Sequence, residues 1–255
     1  MAAANRPVLE TLPPGDSPLY EQVRARLIEG ISKGEWRPGE ALPSETRLAR
    51  GFGVAIGTIR KAVDSLVAER ALVRRQGKGT FVTAHEGSRL YFHFFHIVGL
   101  DGRRVLPEVK TIAFRRDRAD RATAEALAIA PHDKVIRIRN VLSLEGRPRI
   151  VDDIAIAAEL FPGLTEKTFV ARNTTIYQLY QSRFGINVLR TDERLRAVLA
   201  DQALASLLQV EPGAPLLEIR RIALTFRDRP VELRISRVDT AQHHYHHTLG
   251  KELAA

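Results

Sequence analysis

The chain has 255 residues, 44% hydrophobic and 27% charged, long for one domain, comfortable for two and average for soluble globular proteins. No run approaches the roughly 18 apolar residues of a membrane span, Met1 to Asn5 lack the pattern of a secretory signal, and the absence of cysteine excludes disulfides, thiolate nucleophiles and Cys-based metal centres. A cytoplasmic protein is expected, and its net charge of +9 favours an anionic partner such as nucleic acid.

Residues 1–16 carry Pro7, Pro13, Pro14 and Gly15 without periodicity, the composition of a flexible arm. Ser17 is expected to cap a helix with Pro18 at its first position. Leu19, Val23, Leu27 and Ile31 form its apolar stripe, which Gly34 ends. After the punctuation of Trp36 to Pro43, Ser44 caps a second helix that turns Leu48, Ala49 and Phe52 inward and closes at Gly53. A third helix, about 56–69, buries Ile59, Val63, Leu66 and Val67 and leaves Thr58, Arg60 and Lys61 on or near its other face. Two short helices around a Gly turn make a helix-turn-helix. Strands at 72–75 and 80–83 around Gln76-Gly77-Lys78-Gly79 then make a wing. Between positions 46 and 78, eight basic residues face only Asp64 and Glu69.

Beyond Glu86 the pattern changes to strands at 90–98, 108–114, 135–145, 148–156, 188–199, 215–226 and 230–238, with helices near 120–129, 175–184 and 201–208. Ala126-Leu127-x-Ile129-x-Pro131 followed by Val135 to Val141 recurs as Leu207-Leu208-x-Val210-x-Pro212 followed by Leu216 to Ile222, an offset of 81. Two copies of helix, loop, strand, turn and strand predict a pseudo-symmetric α+β domain on an antiparallel sheet. The expected organisation is an arm (1–16), a winged helix-turn-helix (17–84), a linker (85–90) and a second, α+β domain (91–250).

Several motifs bear on chemistry. Gly77-Lys78-Gly79-Thr80 has the wrong order and spacing for a phosphate loop and suits a wing tip whose glycines bring backbone near DNA. His243-His244-x-His246-His247 has metal-like density, but no His-Glu-x-x-His accompanies it, and no metal is assigned. His93 and His96 fall on opposite faces of a strand. No nucleophile motif or dinucleotide fingerprint is present, so neither a catalytic residue nor a cofactor is expected.

Residues 17–82 resemble the winged helix-turn-helix of the GntR family of bacterial transcription regulators. The likeness rests on Leu42-Pro43-Ser44-Glu45, Thr58-Ile59-Arg60-Lys61-Ala62 and Arg75-Gln76-Gly77-Lys78-Gly79-Thr80-Phe81-Val82. It implies DNA contacts at Ser44, Thr46, Arg47, Gly57, Thr58, Arg60, Lys61 and Arg75 to Gly79. The chain departs from the family in Val54-Ala55-Ile56-Gly57, where Val-Ser-Arg-Thr or Val-Ser-Arg-Met is common, and at Thr46, where Arg is usual. A different operator sequence is therefore expected.

From about Leu90 to Leu249 the chain resembles the effector-binding domain of the histidine-utilisation-repressor subfamily, whose fold is shared with chorismate lyase. The markers are the two repeats, Thr175-Ile176-Tyr177, and Val231-Glu232 before Ser236. By position the resemblance implies Asn140, Leu142, Asp152, Thr175, Tyr177, Arg190 and Glu232 as effector contacts. Arg190 would grip an anionic group, Thr175 and Tyr177 would offer hydroxyls, and Asp152 and Glu232 would accept from the ligand. Sugar-phosphate-responsive relatives carry Arg at the positions of Asn140 and Leu142, which favours a small carboxylate here. Thr175 with Gln178 also fits a capping box, and Arg190 with Glu193 a surface pair. The implied protein is a homodimer that binds a palindromic operator and releases it when a small anionic metabolite binds. The alternatives are a DNA-tethered enzyme with a lyase-like domain and a regulator whose second domain only dimerises.

Overall fold

The computed structural model describes residues 11–12, 17–69, 71–84 and 94–248. The expected linker and His93 lie outside them. Contacts sort the described residues into two units. One holds the residues up to 84 together with Thr174–Arg190 and Thr225–Arg227, and the other holds the rest from residue 94 onward.

In the first unit α1 (Leu19–Ser32), α2 (Glu45–Phe52) and α3 (Ile56–Ala68) precede a two-stranded wing, β1 (Leu72–Arg75) and β2 (Gly79–Val82). The apolar stripe of α1 buries Val23, Leu27 and Ile31, whereas Leu19 is half exposed. Pro18, not Ser17, is the N-cap of α1, and no side chain caps it. With φ near −65° and no N–H to satisfy, proline tolerates that position well. Ser44 caps α2 as expected, its Oγ accepting from Arg47 N at 3.3 Å, and Gly53 ends the helix at φ 68°. Such a side-chain cap contributes about 1 kcal/mol. Helices and wing close over Trp36, Phe52, Leu48, Ile59 and Leu66. Within the expected flexible arm, Leu12 packs on this core and its N–H donates to Phe52 O at 3.3 Å.

The second unit is a six-stranded antiparallel sheet in the order β4-β5-β6-β9-β8-β7. Its strands are β4 (Glu108–Arg118), β5 (Lys134–Leu144), β6 (Arg147–Ala157), β7 (Arg190–Leu199), β8 (Pro215–Leu224) and β9 (Pro230–Asp239). Two short helices, α4 (Arg121–Leu127) and α7 (Gln202–Leu208), cover one face. The strand order is unchanged when the two sequence repeats are exchanged, so β6 and β9 flank a pseudo-twofold axis. The repeat extends to the caps. Asp120 accepts from Thr123 N at 2.7 Å, and Asp201, 81 residues on, accepts from Leu204 N at 2.7 Å. Both helices end in a left-handed residue, Ala128 (φ 51°) and Gln209 (φ 57°).

Three departures from expectation concern the second half. Residues 94–98 are not one strand: only β3 (Ile97–Gly99) forms, paired antiparallel with β10 (His243–Tyr245), so the histidine run begins as a strand. A five-residue helix, α5 (Glu166–Val170), is capped by Thr165 and buries only Phe169. Helix α6 (Ile176–Phe184) groups with the first unit. There Gln181 Nε2 donates to Thr83 O at 2.9 Å, and Leu189 and Phe226 pack on the helix-turn-helix core.

Candidate nucleic-acid interface and effector site

Helix α3 and the wing place the basic residues on the outside of the first unit. Ser44, Thr46, Arg47, Gly57, Arg60, Lys61 and Arg75 to Gly79 are exposed and Thr58 is half-buried. The cations are held loosely. Arg60 Nε pairs with Glu45 Oε2 at 3.1 Å, and Arg74 reaches Glu45 Oε1 at 3.2 Å and Asp64 Oδ1 at 2.6 Å. Lys61 Nζ lies 3.8 Å over the Tyr20 ring, and Arg75 Cζ 4.6 Å over Phe81. Exposed pairs of this kind contribute about 0–1 kcal/mol, so phosphates can displace Glu45 cheaply.

The wing turn needs its glycines. Gly77 has φ 69° and Gly79 φ 109°, which L side chains adopt only under strain. At Gly57, Gly77 and Gly79 an added Cβ would meet nothing within 4 Å, so all three present bare backbone to an incoming partner. Ile56, the first residue of α3, is 43% exposed although apolar. An apolar side chain there brings no charge for a phosphate and offers surface of the kind a thymine methyl packs against.

On the sheet face opposite α4 and α7, alternation and register gather a buried polar cluster. Asn140 on β5 pairs with Asp152 on β6, Asp152 with Ser236 on β9, and Arg234 on β9 with Arg221 on β8. Asp152 accepts from Ser236 Oγ at 2.6 Å and Arg234 Nη1 at 3.2 Å, and Arg234 also grips Glu232 with both Nε (2.9 Å) and Nη2 (3.1 Å). Arg221 Nε donates to Glu193 Oε1 at 2.6 Å, and the other oxygen accepts from the Tyr245 hydroxyl at 2.5 Å. Asn140 is fully buried. Its Oδ1 accepts from Thr111 Oγ1 at 2.8 Å, while its Nδ2 has no hydrogen-bond partner.

Burial raises the Asp152 pKa against the pull of Arg234 and Ser236. Burial also acts on Glu193, but Arg221, Tyr245 and His96 outweigh it and hold that carboxyl below its usual range. The Tyr245 hydroxyl is pushed well up by burial and by Glu193.

The structure thus brings together Asn140, Asp152 and Glu232 of the seven implied effector residues. Leu142 shares their face but packs among Ile97, Ile150, Ile219 and Val238. Thr175, Tyr177 and Arg190 belong to the first unit. Thr175 Oγ1 caps α6 by accepting from Gln178 N at 3.1 Å, Tyr177 is buried beside Tyr180, and Arg190 is exposed. Glu193 pairs with Arg221 and Tyr245, outside the surface pair considered for it. Sequence analysis missed Arg221, Arg234 and Glu193. The repeat could have found the first, because its offset of 81 carries Asn140 onto Arg221.

The helix-side face carries a different arrangement. Arg139, Asp153, Arg237, Glu218 and Arg196 form a rung of alternating charge across five strands, with contacts of 2.6, 2.8, 3.2 and 2.6 Å. Among the described residues no group of three or more His, Cys, Asp or Glu is placed to hold a metal ion, and no helix is long and apolar enough to cross a membrane.

A winged helix-turn-helix with an exposed basic face, carried with an antiparallel domain that buries a polar cluster, defines a metabolite-responsive DNA-binding transcription regulator. Residues 19–82 match the family model "Bacterial regulatory proteins, gntR family" and residues 102–244 match the UTRA domain. The chain is 32% identical over 218 residues to the "Probable fructoselysine utilization operon transcriptional repressor" of Escherichia coli strain K12, covering 84% of this chain and 88% of that protein. It is 30% identical over 210 residues to the histidine utilization repressor of Pseudomonas putida, covering 81% and 82%. The chain is similar over 62% of its length to the solved ligand-binding domain of a protein described as a GntR-family transcriptional regulator from Bordetella bronchiseptica, at 37% identity and TM-score 0.60, covering 98% of that chain. The chain belongs to the GntR family of bacterial regulators, with a UTRA domain as its second part.

Proposed function

We propose that this regulator is a cytoplasmic homodimer that represses its target by holding a palindromic operator through α3 and the wing, and that a small anionic metabolite releases it. The observation that carries this is the exposed face of Arg47, Arg60, Lys61 and Lys78, interleaved with open glycine backbone at positions 57, 77 and 79. Cations there neutralise phosphates and set register while the first turn of α3 reaches base edges. The relatives' names support repression.

Asn140, Asp152 and Glu232 are the proposed effector contacts of the second unit, and Thr175, Tyr177 and Arg190 those of the first. The unpartnered Asn140 amide favours a ligand with an acceptor atom, and the protein acts by binding, with no turnover of that ligand. A full switch requires about a 10⁴-fold preference of the ligand for the released state, roughly 5.5 kcal/mol.

Random-site selection with the full chain tests the reading. Inverted half-sites about one or more helical turns apart are expected from a two-fold dimer. A single asymmetric motif, or a monomer at micromolar concentration, would overturn the dimeric reading. Recovering a releasing metabolite chemically changed would overturn the assignment of binding without catalysis.

A further inference from the structure

Away from the sheet-centre cluster, the second unit holds a cavity of about 420 Å³ between the β5–β6 turn and the β3–β10 ribbon. Small-ligand sites commonly span roughly 300–1,000 Å³. Glu145 (φ 52°) and Gly146 (φ 74°) make a two-residue hairpin turn of the kind whose twist matches its strands. That turn leads Arg147 and Arg149 into the cavity wall, opposite Ile97 of β3 and His243 of β10.

Two nitrogens of this wall are closed to solvent and have no hydrogen-bond partner: Arg149 Nε and His243 Nδ1. His243 is 7% exposed. Arg149 commits Nη1 to Asp239, which leaves its Nε edge unused. Arg147 lines the same cavity, exposed, with no ion pair among the described residues. Buried groups without partners are rare in native proteins because each forfeits its solvation, so two at one cavity point to something that completes them. Arg103 is already held by Asp101, Nε to Oδ2 at 3.2 Å. Asp101 and Glu145 also line the cavity, and two carboxylates beside the arginines disfavour a doubly charged guest while tolerating a single negative charge. Burial and the charge of Arg149 lower the His243 pKa. Both effects favour the neutral imidazole, which carries one donor nitrogen.

We propose that this cavity is a second binding site, for a small organic monocarboxylate. The carboxylate accepts from Arg149 Nε–H and the Arg147 guanidinium, His243 Nδ1 completes its hydrogen bonds, and the apolar body of the guest lies against Ile97 and Leu144. Both nitrogens are closed to the cavity as it stands, so binding requires the imidazole and the Arg149 guanidinium edge to turn toward the guest. The site is separate from the effector cluster proposed above and stands whether or not that cluster binds the inducer.

The test follows the imidazole nitrogens of ¹⁵N-histidine-labelled full chain by NMR during titration with pyruvate, benzoate and inorganic phosphate at constant ionic strength. His243→Gln assigns the resonance. The expected result is saturable movement of the His243 signals with pyruvate or benzoate but not with phosphate. Arg149→Lys and Arg147→Ala should each weaken that response by roughly tenfold or more, the loss typical of a charge-assisted hydrogen bond. Arg147 has an exposed side chain, so its variant keeps the test valid if Arg149→Lys impairs folding. Unmoved His243 signals with both carboxylates, equal affinity in Arg147→Ala, or binding of phosphate alone would overturn the assignment.

Discussion

Single residues separate what holds this protein together from what it presents. Gly30 and Gly57 both lie in helices, but a Cβ on Gly30 would stand 2.3 Å from Trp36 Cζ3, whereas one on Gly57 would meet nothing within 4 Å. Gly30→Ala should therefore destabilise the first unit by about 1–3 kcal/mol, as overpacking does. Gly57→Ala should leave stability equal or raised by up to about 1 kcal/mol through its better helix propensity while weakening DNA binding, because the new methyl stands where backbone would approach the groove. Denaturant unfolding and fluorescence anisotropy on a selected operator measure the two effects. Gly57→Ala with unchanged affinity would remove the first turn of α3 from the interface.

Between elements, the β7–β8–β10 contact is held by Glu193. Its carboxyl lies below the ordinary value of 4.5 because Arg221, the Tyr245 hydroxyl and His96 outweigh burial. A depressed folded pKa gives stability that is present above the unfolded value and is lost as pH falls through the folded one. Glu193→Gln should therefore cost roughly 3–5 kcal/mol near neutral pH by taking the carboxylate from the buried Arg221 guanidinium, which keeps its bond to Phe94 O. The gap between wild type and variant should narrow as pH falls below 4.5, and urea unfolding across that range checks it.

The elements also show where the sequence was transparent. The strands from 108 onward, the wing, α2 with its Ser44 cap and the repeat were legible because period, cap and turn residues agree locally. Helix α5 was not, since five residues burying one Phe169 leave no periodic signal. Nor was the grouping of α6 with the first unit, which goes with long-range contacts such as the bond from Gln181 to Thr83 and the packing of Leu189 and Phe226. The candidate site was half legible. Asn140, Asp152 and Glu232 were reached through family likeness and Arg221 lies within reach of the repeat offset, while Arg234 joins them only through cross-strand register.

At the scale of the whole molecule, the proposed DNA contacts and the proposed effector contacts are different residues and should separate by mutation. Asn140→Ala removes a buried amide from the sheet-centre cluster. It should leave operator affinity unchanged without metabolite yet weaken release by a cognate metabolite, by about 5- to 30-fold for a loss of roughly 1–2 kcal/mol. Arg190→Ala should do likewise if its guanidinium grips the anion. Thermal shift with a panel of carboxylates and sugar phosphates identifies the ligand first. Stabilisation by sugar phosphates alone, untouched by Arg190→Ala, would contradict the carboxylate reading.

The central claim is that α3 and the wing bind DNA through phosphate-neutralising cations, and salt titration tests it most directly. Each phosphate contact adds about 0.9 to the slope of log affinity against log salt. Measured on a selected operator between about 50 and 200 mM salt, the double variant Arg60→Ala, Lys78→Ala should bind more weakly than wild type. Its slope should be shallower by about two units, with unfolding free energy changed by less than about 1 kcal/mol because both side chains are exposed. A variant that keeps the wild-type affinity and slope would contradict the account.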